Sequence, residues 1–258
     1  MKGYYRLINY ELRSMMKGLL GICLGTIALQ LLLLQLTVSS MSRETALLRY
    51  EDLYAASGGV VAFTLMLALL LVLFAVNVYG NYWGSKSIYT LLTLPLARSA
   101  LYWSKLSAYA LGLLAFLVSH LLGMRLGYGL VQGAVDRFSG EDWTIAGGWF
   151  LAVIRSSFFR LLLPMTWEGL LSSFSLALVL LTGLYFALLC ERSRRFDVLP
   201  LVAVALFFII RELMFRTAEA SYEEVGFFKM YLNTIAMLSL SGLFMLLGSR
   251  FVRERAIA

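Results

Sequence analysis

Six apolar runs, each close to the roughly 20 residues an α-helix needs to cross about 30 Å of hydrocarbon, constrain this chain more than any other feature. They cover residues 18–38, 60–79, 106–124, 170–190, 198–215 and 231–248. Lipid offers backbone groups no hydrogen-bond partners, so runs of this length predict helices. The sequence therefore predicts an all-α integral membrane protein with six transmembrane helices.

Charge orients them. With the N-terminus inside, the internal stretches are residues 1–17, 80–105, 191–197 and the tail from 249. They hold 13 of the 22 Lys and Arg but 4 of the 15 acids (Glu11, Glu191, Asp197, Glu254), a net +9. The other 9 basic and 11 acidic residues leave −2 elsewhere, in agreement with the chain's +7. Cationic loops stay on the cytoplasmic side. Both termini are thus expected in the cytoplasm, with the chain multi-pass in a cell membrane.

At 60% hydrophobic and 14% charged, the chain has little material for a soluble domain, and one membrane domain over residues 1–258 is the economical count. The basic residues lie beside spans, where topology and contact with anionic membrane lipid account for them. Nucleic-acid binding is excluded on that ground. Cys23 and Cys190 both fall in spans, and no CxxC or Cys/His pair exists, so neither a disulfide framework nor a metal site is expected. No small-residue cleavage site follows the first apolar run, and that span is expected to remain as an anchor.

Residues 1–17 read as an amphipathic helix, with Tyr4, Leu7, Ile8, Leu12 and Met15 on one face and Arg6, Asn9, Arg13 and Lys17 opposite. Such a helix can lie in the headgroup plane before turning into the first span; a plain juxtamembrane helix is the alternative. The first span carries Gln30 and Gln35, and Gly21 and Gly25 at the spacing that lets helices approach closely. The third holds His120 within it and Arg125 near its outer end, and ionisable groups at membrane depth are functional candidates. Gln30, Gln35, His120 and Arg125 are the candidates for lining a polar path; packing within one subunit, or snorkelling for Arg125, is the alternative.

The segment over residues 80–105 is expected to be cytoplasmic. Ile88, Leu91 and Leu92 form a short apolar helical face, Leu94 follows, and Pro95 stops the helix. Lys86, Arg98 and Lys105 accompany it with no acid. A short helix of this kind suits a groove on a soluble partner. Residues 80–87 approach the phosphate-binding pattern G-x-x-x-x-G-K-[ST] but carry Ser85 in place of the second glycine, after a span rather than a strand, so nucleotide binding is rejected.

Residues 131–167 are expected to form an outer loop containing an interfacial or re-entrant helix. Spanning at 147–167 would set Arg155 and Arg160 near mid-bilayer at about 2.5–3.5 kcal/mol each. In the fifth span, adjacent Arg211 and Glu212 are expected to neutralise each other at the outer boundary. No Asp or Glu is expected in the span cores.

This layout resembles the membrane permease subunit of type-2 ABC exporters, the class serving antibiotic resistance and bacteriocin immunity. The likeness covers the whole chain. Its most specific element is Tyr89-Thr90-Leu91-Leu92-Thr93-Leu94-Pro95-Leu96-Ala97-Arg98 followed by Ser104-Lys105, similar to the family's "LL-x-L-P-x-x-R" run with a lysine before the next span. The resemblance implies a non-catalytic subunit that pairs with a second permease, identical or homologous, around a path for an amphipathic, peptide-like or antibiotic cargo. It implies that Lys86, Ile88, Leu91, Leu92, Leu94, Pro95 and Arg98 dock a cytoplasmic ATPase pair. ATP and Mg would be bound by those partners, with no cofactor in this chain. The rival readings are a membrane scaffold or sensor with another partner, and an intramembrane protease. For the protease, Glu223 and Glu224 lack the several histidines such sites use.

Overall fold

The structure is a computed structural model describing residues 2–39, 49–83, 98–139, 148–164, 166–193, 199–218 and 226–255. Among them it contains only helices: α1 Lys2–Ser39, α2 Tyr50–Ala56, α3 Gly59–Trp83, α4 Arg98–Ser139, α5 Trp149–Arg155, α6 Ser157–Leu162, α7 Trp167–Arg192, α8 Leu199–Ala218 and α9 Gly226–Arg255. Five helical stretches are long and apolar enough to cross a membrane: Gly3–Ser39, Gly59–Gly80, Arg98–Ala134, Trp167–Arg192 and Tyr231–Arg253. The predicted fifth span is helical too, as α8, but falls outside that set. Arg211, Glu212 and Arg216 interrupt its apolar run.

Two expectations change. The helix of residues 1–17 does not turn at the start of the first span; α1 is one helix of 38 residues. No proline interrupts it, so nothing forces the break an interfacial helix would need. The third helix runs on to Ser139, into the stretch expected to be loop. The ambiguous region after it is two helices of 7 and 6 residues, about 10 Å and 9 Å long at 1.5 Å per residue. Ser156 separates them: its backbone is extended at φ −56°, ψ 123°, and its hydroxyl accepts from the Phe159 amide at 3.5 Å. Neither helix is long enough to cross a bilayer.

The chain forms two compact units. The first comprises Met1–Met15, Leu73–Leu111 and Leu163–Ala258; the second comprises Met16–Val72 and Gly112–Leu162.

In the first unit, α7, α8 and α9 share a core of Val179, Phe186, Cys190, Ala205, Met237 and Phe244. The Phe186 ring lies 5.0 Å from Phe244 and 5.8 Å from Phe251. Tyr102 of α4 stacks on Tyr185 of α7 at 5.1 Å, and Tyr109 stacks on Phe74 of α3 at 4.6 Å. Polar contacts gather several ends of this unit together. Tyr4 near the start of α1 shares a 2.8 Å hydrogen bond with Ser107. Tyr79 near the end of α3 donates to Glu191 at the end of α7. Arg98, opening α4, donates to the Arg253 carbonyl near the end of α9 at 3.4 Å. A cation on the last carbonyls of a helix is favourably placed against its dipole.

In the second unit α1 packs on α4 through Gly123 and Gly127. A Cβ at Gly123 would collide with the Gln30 side chain, and one at Gly127 with Leu34. Small residues four apart let the two helices close up. The pair singled out from sequence is not used this way: a Cβ at Gly21 would meet nothing within 4 Å, and one at Gly25 only Met66 at 3.6 Å.

Candidate functional site

Ionisable and amide groups inside a helix bundle are the natural place to look for function in a chain of this kind. Each unit contains such a cluster.

In the first unit the cluster is centred on Glu212 of α8, fully buried. Its Oε1 accepts from the Arg216 guanidinium one turn along, at 3.2 Å, and from the Ser172 hydroxyl of α7. Its Oε2 accepts from the Asn233 amide of α9 at 2.6 Å. Arg216 also donates to Ser172 at 2.7 Å and to Ser173 at 3.1 Å. Near the start of α7 a further tie runs from Tyr231 to Glu168 at 2.5 Å. Helix α7 itself is started by Thr166, which accepts from the Gly169 amide at 3.1 Å.

This corrects one expectation. Glu212 is not neutralised by adjacent Arg211, because consecutive residues on a helix point about 100° apart and do not face each other. Arg211 lies over the Phe215 ring at 5.2 Å, and Glu212 turns inward to the residue four along. A second buried acid, Glu11, stands in α1 before the predicted first span; it is 1% exposed and lies 3.4 Å from Lys105 of α4. In sequence, Glu212-x-x-x-Arg216 was readable as an ion pair at helical spacing. Ser172 and Asn233 carry no such signal.

In the second unit Gln30 and His120, both 1% exposed, meet each other: the Gln30 amide nitrogen lies 2.5 Å from His120 Nδ1 and donates to Tyr54 Oη at 3.2 Å. With that amide donating, Nδ1 accepts and the ring proton is on Nε2. Gln30 Oε1 and His120 Nε2 have no hydrogen-bond partner among the described residues. Aromatic rings enclose the imidazole: Phe63 at 4.6 Å, Phe158 at 5.7 Å and Tyr54 at 6.3 Å. Burial pushes the Tyr54 phenol up to about 12, partly offset by the Gln30 amide. Burial, with Tyr54 beside it, also raises Tyr50, whose hydroxyl donates to the Met124 carbonyl at 2.8 Å.

Of the four path candidates, the structure brings Gln30 and His120 together and leaves Gln35 and Arg125 exposed, with Arg125 over the Trp149 ring at 5.9 Å. Of the coupling candidates, Arg98 is exposed at the start of α4. Lys86, Ile88, Leu91, Leu92, Leu94 and Pro95 lie outside the described residues. No group of three or more His, Cys, Asp and Glu is placed to hold a metal among the described residues.

Helix length and apolarity define the class: a multi-pass, α-helical membrane protein. The chain matches no protein-family model, no curated protein and no solved structure.

Proposed function

We propose that this chain is the transmembrane subunit of an ATP-driven type-2 ABC exporter. Two permeases, identical or homologous, form the path for an amphipathic, peptide-like or antibiotic cargo, and a separate pair of cytoplasmic ATPases supplies the energy. Six helices cross the cell membrane with both termini in the cytoplasm.

The observation that carries this reading is the run Leu91-Leu92-Thr93-Leu94-Pro95 with Arg98, standing between the second and third candidate spans. Arg98 and Tyr79 tie the helices flanking that run to the ends of α9 and α7, at the end of the unit where Tyr4 also docks. Tyr4 and Arg253, near the two termini, thus lie at the same end of the unit as Tyr79 and Arg98, the end that the +9 charge excess favours for the cytoplasm. The six-crossing count gains support from α8, whose 20 residues make about 30 Å of helix. It runs antiparallel to α7, with Ala205 in the core beside Cys190 and Glu212 bonded to Ser172.

Leu91→Asp with Leu92→Asp tests the docking. Charge forced into a desolvated contact costs several kcal/mol, so the permease should insert normally while co-purification of ATPase falls sharply. Full complex formation by the double variant overturns the assignment. If wild-type chain from its native cells brings down a partner that is not an ATPase, the scaffold reading replaces it.

A further inference from the structure

The face that the N-terminal segment buries is not the face its apolar residues define. Leu7, Glu11 and Met15 are buried at 4%, 1% and 3% exposure, whereas Ile8 and Leu12 are only half-buried. At about 100° per residue, Leu7 and Met15 lie roughly 40° to either side of Glu11, which is therefore the middle of the buried face. The apolar set Tyr4, Leu7, Ile8, Leu12 and Met15 is centred roughly 40° further round, at Met15. Hydrophobic docking alone would bury Ile8 and Leu12 and roll Glu11 toward the edge.

What turns the helix the other way is Lys105 of α4. Its ammonium lies 3.4 Å from the Glu11 carboxylate, the two side chains being 6% and 1% exposed. Neither group makes a hydrogen bond of regular geometry, so the attraction is that of two charges in a low-dielectric setting. Tyr4 with Ser107, and Asn77 donating to Ser14 at 3.3 Å, fit the same rotation. The geometry points to Glu11 and Lys105 as a positioning pair that sets the rotation of residues 2–15, against the preference of their own apolar stripe. Buried ion pairs contribute little net stability; fixing a register is their best-attested use. The pair also turns the one acid of this segment inward, leaving Arg6 and Arg13 exposed beside Tyr5 and Tyr10 at 70% and 44%.

The test uses the full chain with a single reporter cysteine at Leu7 or Leu12, labelled with a maleimide and read by mass spectrometry. Native Cys190, fully buried, reports whether the bundle is folded. In the variant Glu11→Ala with Lys105→Ala, labelling at position 7 should rise about tenfold, as for a site moved from protected to open, while position 12 becomes more protected and Cys190 stays silent. The charge swap Glu11→Lys with Lys105→Glu should return both reporters toward wild type. An unchanged position 7 in the double alanine variant overturns the proposal, as does a swap that labels like it. Labelling at both 7 and 12 with Cys190 silent also overturns it, because the pair would then hold the segment down rather than set its rotation. Should the double alanine variant expose Cys190, the swap decides: protection at 7 and 190 supports the pair, and exposure refutes it.

Discussion

In the first unit Glu212 is met by Arg216, Ser172 and Asn233, drawn from three helices; in the second, Gln30 and His120 meet chiefly each other and leave Gln30 Oε1 and His120 Nε2 open. The first cluster contains full charges and the second contains none that must be ionised, and that accounts for the contrast. A buried carboxylate is costly without a counter-charge at hand; Glu212 has one and a hydrogen bond on each oxygen besides, whereas Glu11 has the charge of Lys105 alone. A neutral amide and imidazole can each leave one group open at a penalty of order 1–3 kcal/mol. Gln30 and His120 each keep an open polar atom without a charge to neutralise, which keeps them candidates for contact with a cargo or water. In the Glu212 cluster both carboxylate oxygens are bonded and Asn233 Oδ1 is the atom left open; it has the form of a clamp across α7, α8 and α9.

The comparison is most exposed at Glu212. Replacing it with alanine breaks the buried ion pair with Arg216 and takes the acceptor from Ser172 and Asn233, which should cost about 3–5 kcal/mol. Thermal unfolding of the purified chain should show this as the largest loss among the variants considered. Glu212→Leu with Arg216→Leu, which removes both charges, should recover most of it. A Glu212→Ala variant that melts like wild type would mean that the cluster is not a clamp.

Asn233→Ala removes one donor from a charged acceptor and should cost about 1.5–3 kcal/mol. In the other unit, Gln30→Leu with His120→Leu removes both partners of an incompletely bonded pair, so stability should stay within about 1 kcal/mol. If these groups line a path, cargo-stimulated ATP hydrolysis or transport changes while the melting temperature does not. A large stability loss with normal specific activity would assign them to packing and erase the distinction between the clusters.

The smallest effect is expected at Arg125. It is exposed, and its stacking on Trp149 is worth up to about 1 kcal/mol. Arg125→Ala, alone or with Gln35→Ala, should leave the melting temperature nearly unchanged. Transport that is also unchanged would remove both residues from the path and leave Gln30 and His120 alone in it.

Most of the helices were readable from apolar run length, because a membrane-length run has one viable local structure. The break at Ser156 was harder to see, although Arg155 and Arg160 argued against a continuous span there. What local reading missed is the partner of each polar side chain. Arg211 and Glu212 are neighbours in the chain, yet the helix turns them apart and brings Arg216 and the distant Asn233 to the carboxylate. The pair Gly21 and Gly25 has the same spacing as Gly123 and Gly127, but only at the second pair is another helix so close that a Cβ would collide with it. Gln30 and His120 were both recognisable as polar groups in apolar runs. That they bond to each other depends on the register of α1 against α4.

The sequence by itself determined that the chain is helical, which stretches can cross a membrane, and how charge is divided among the connections. Those are properties of segments, governed by hydropathy, helix period and local charge. Only the tertiary structure decided the continuity of α1 through its basic N-terminal turns, the inward rotation that buries Glu11 against Lys105, and the closing of the Glu212 cluster from three helices. A buried polar group takes whichever partner lies within about 3 Å once the helices have packed, and residues 40 to 90 positions apart in the chain meet only then.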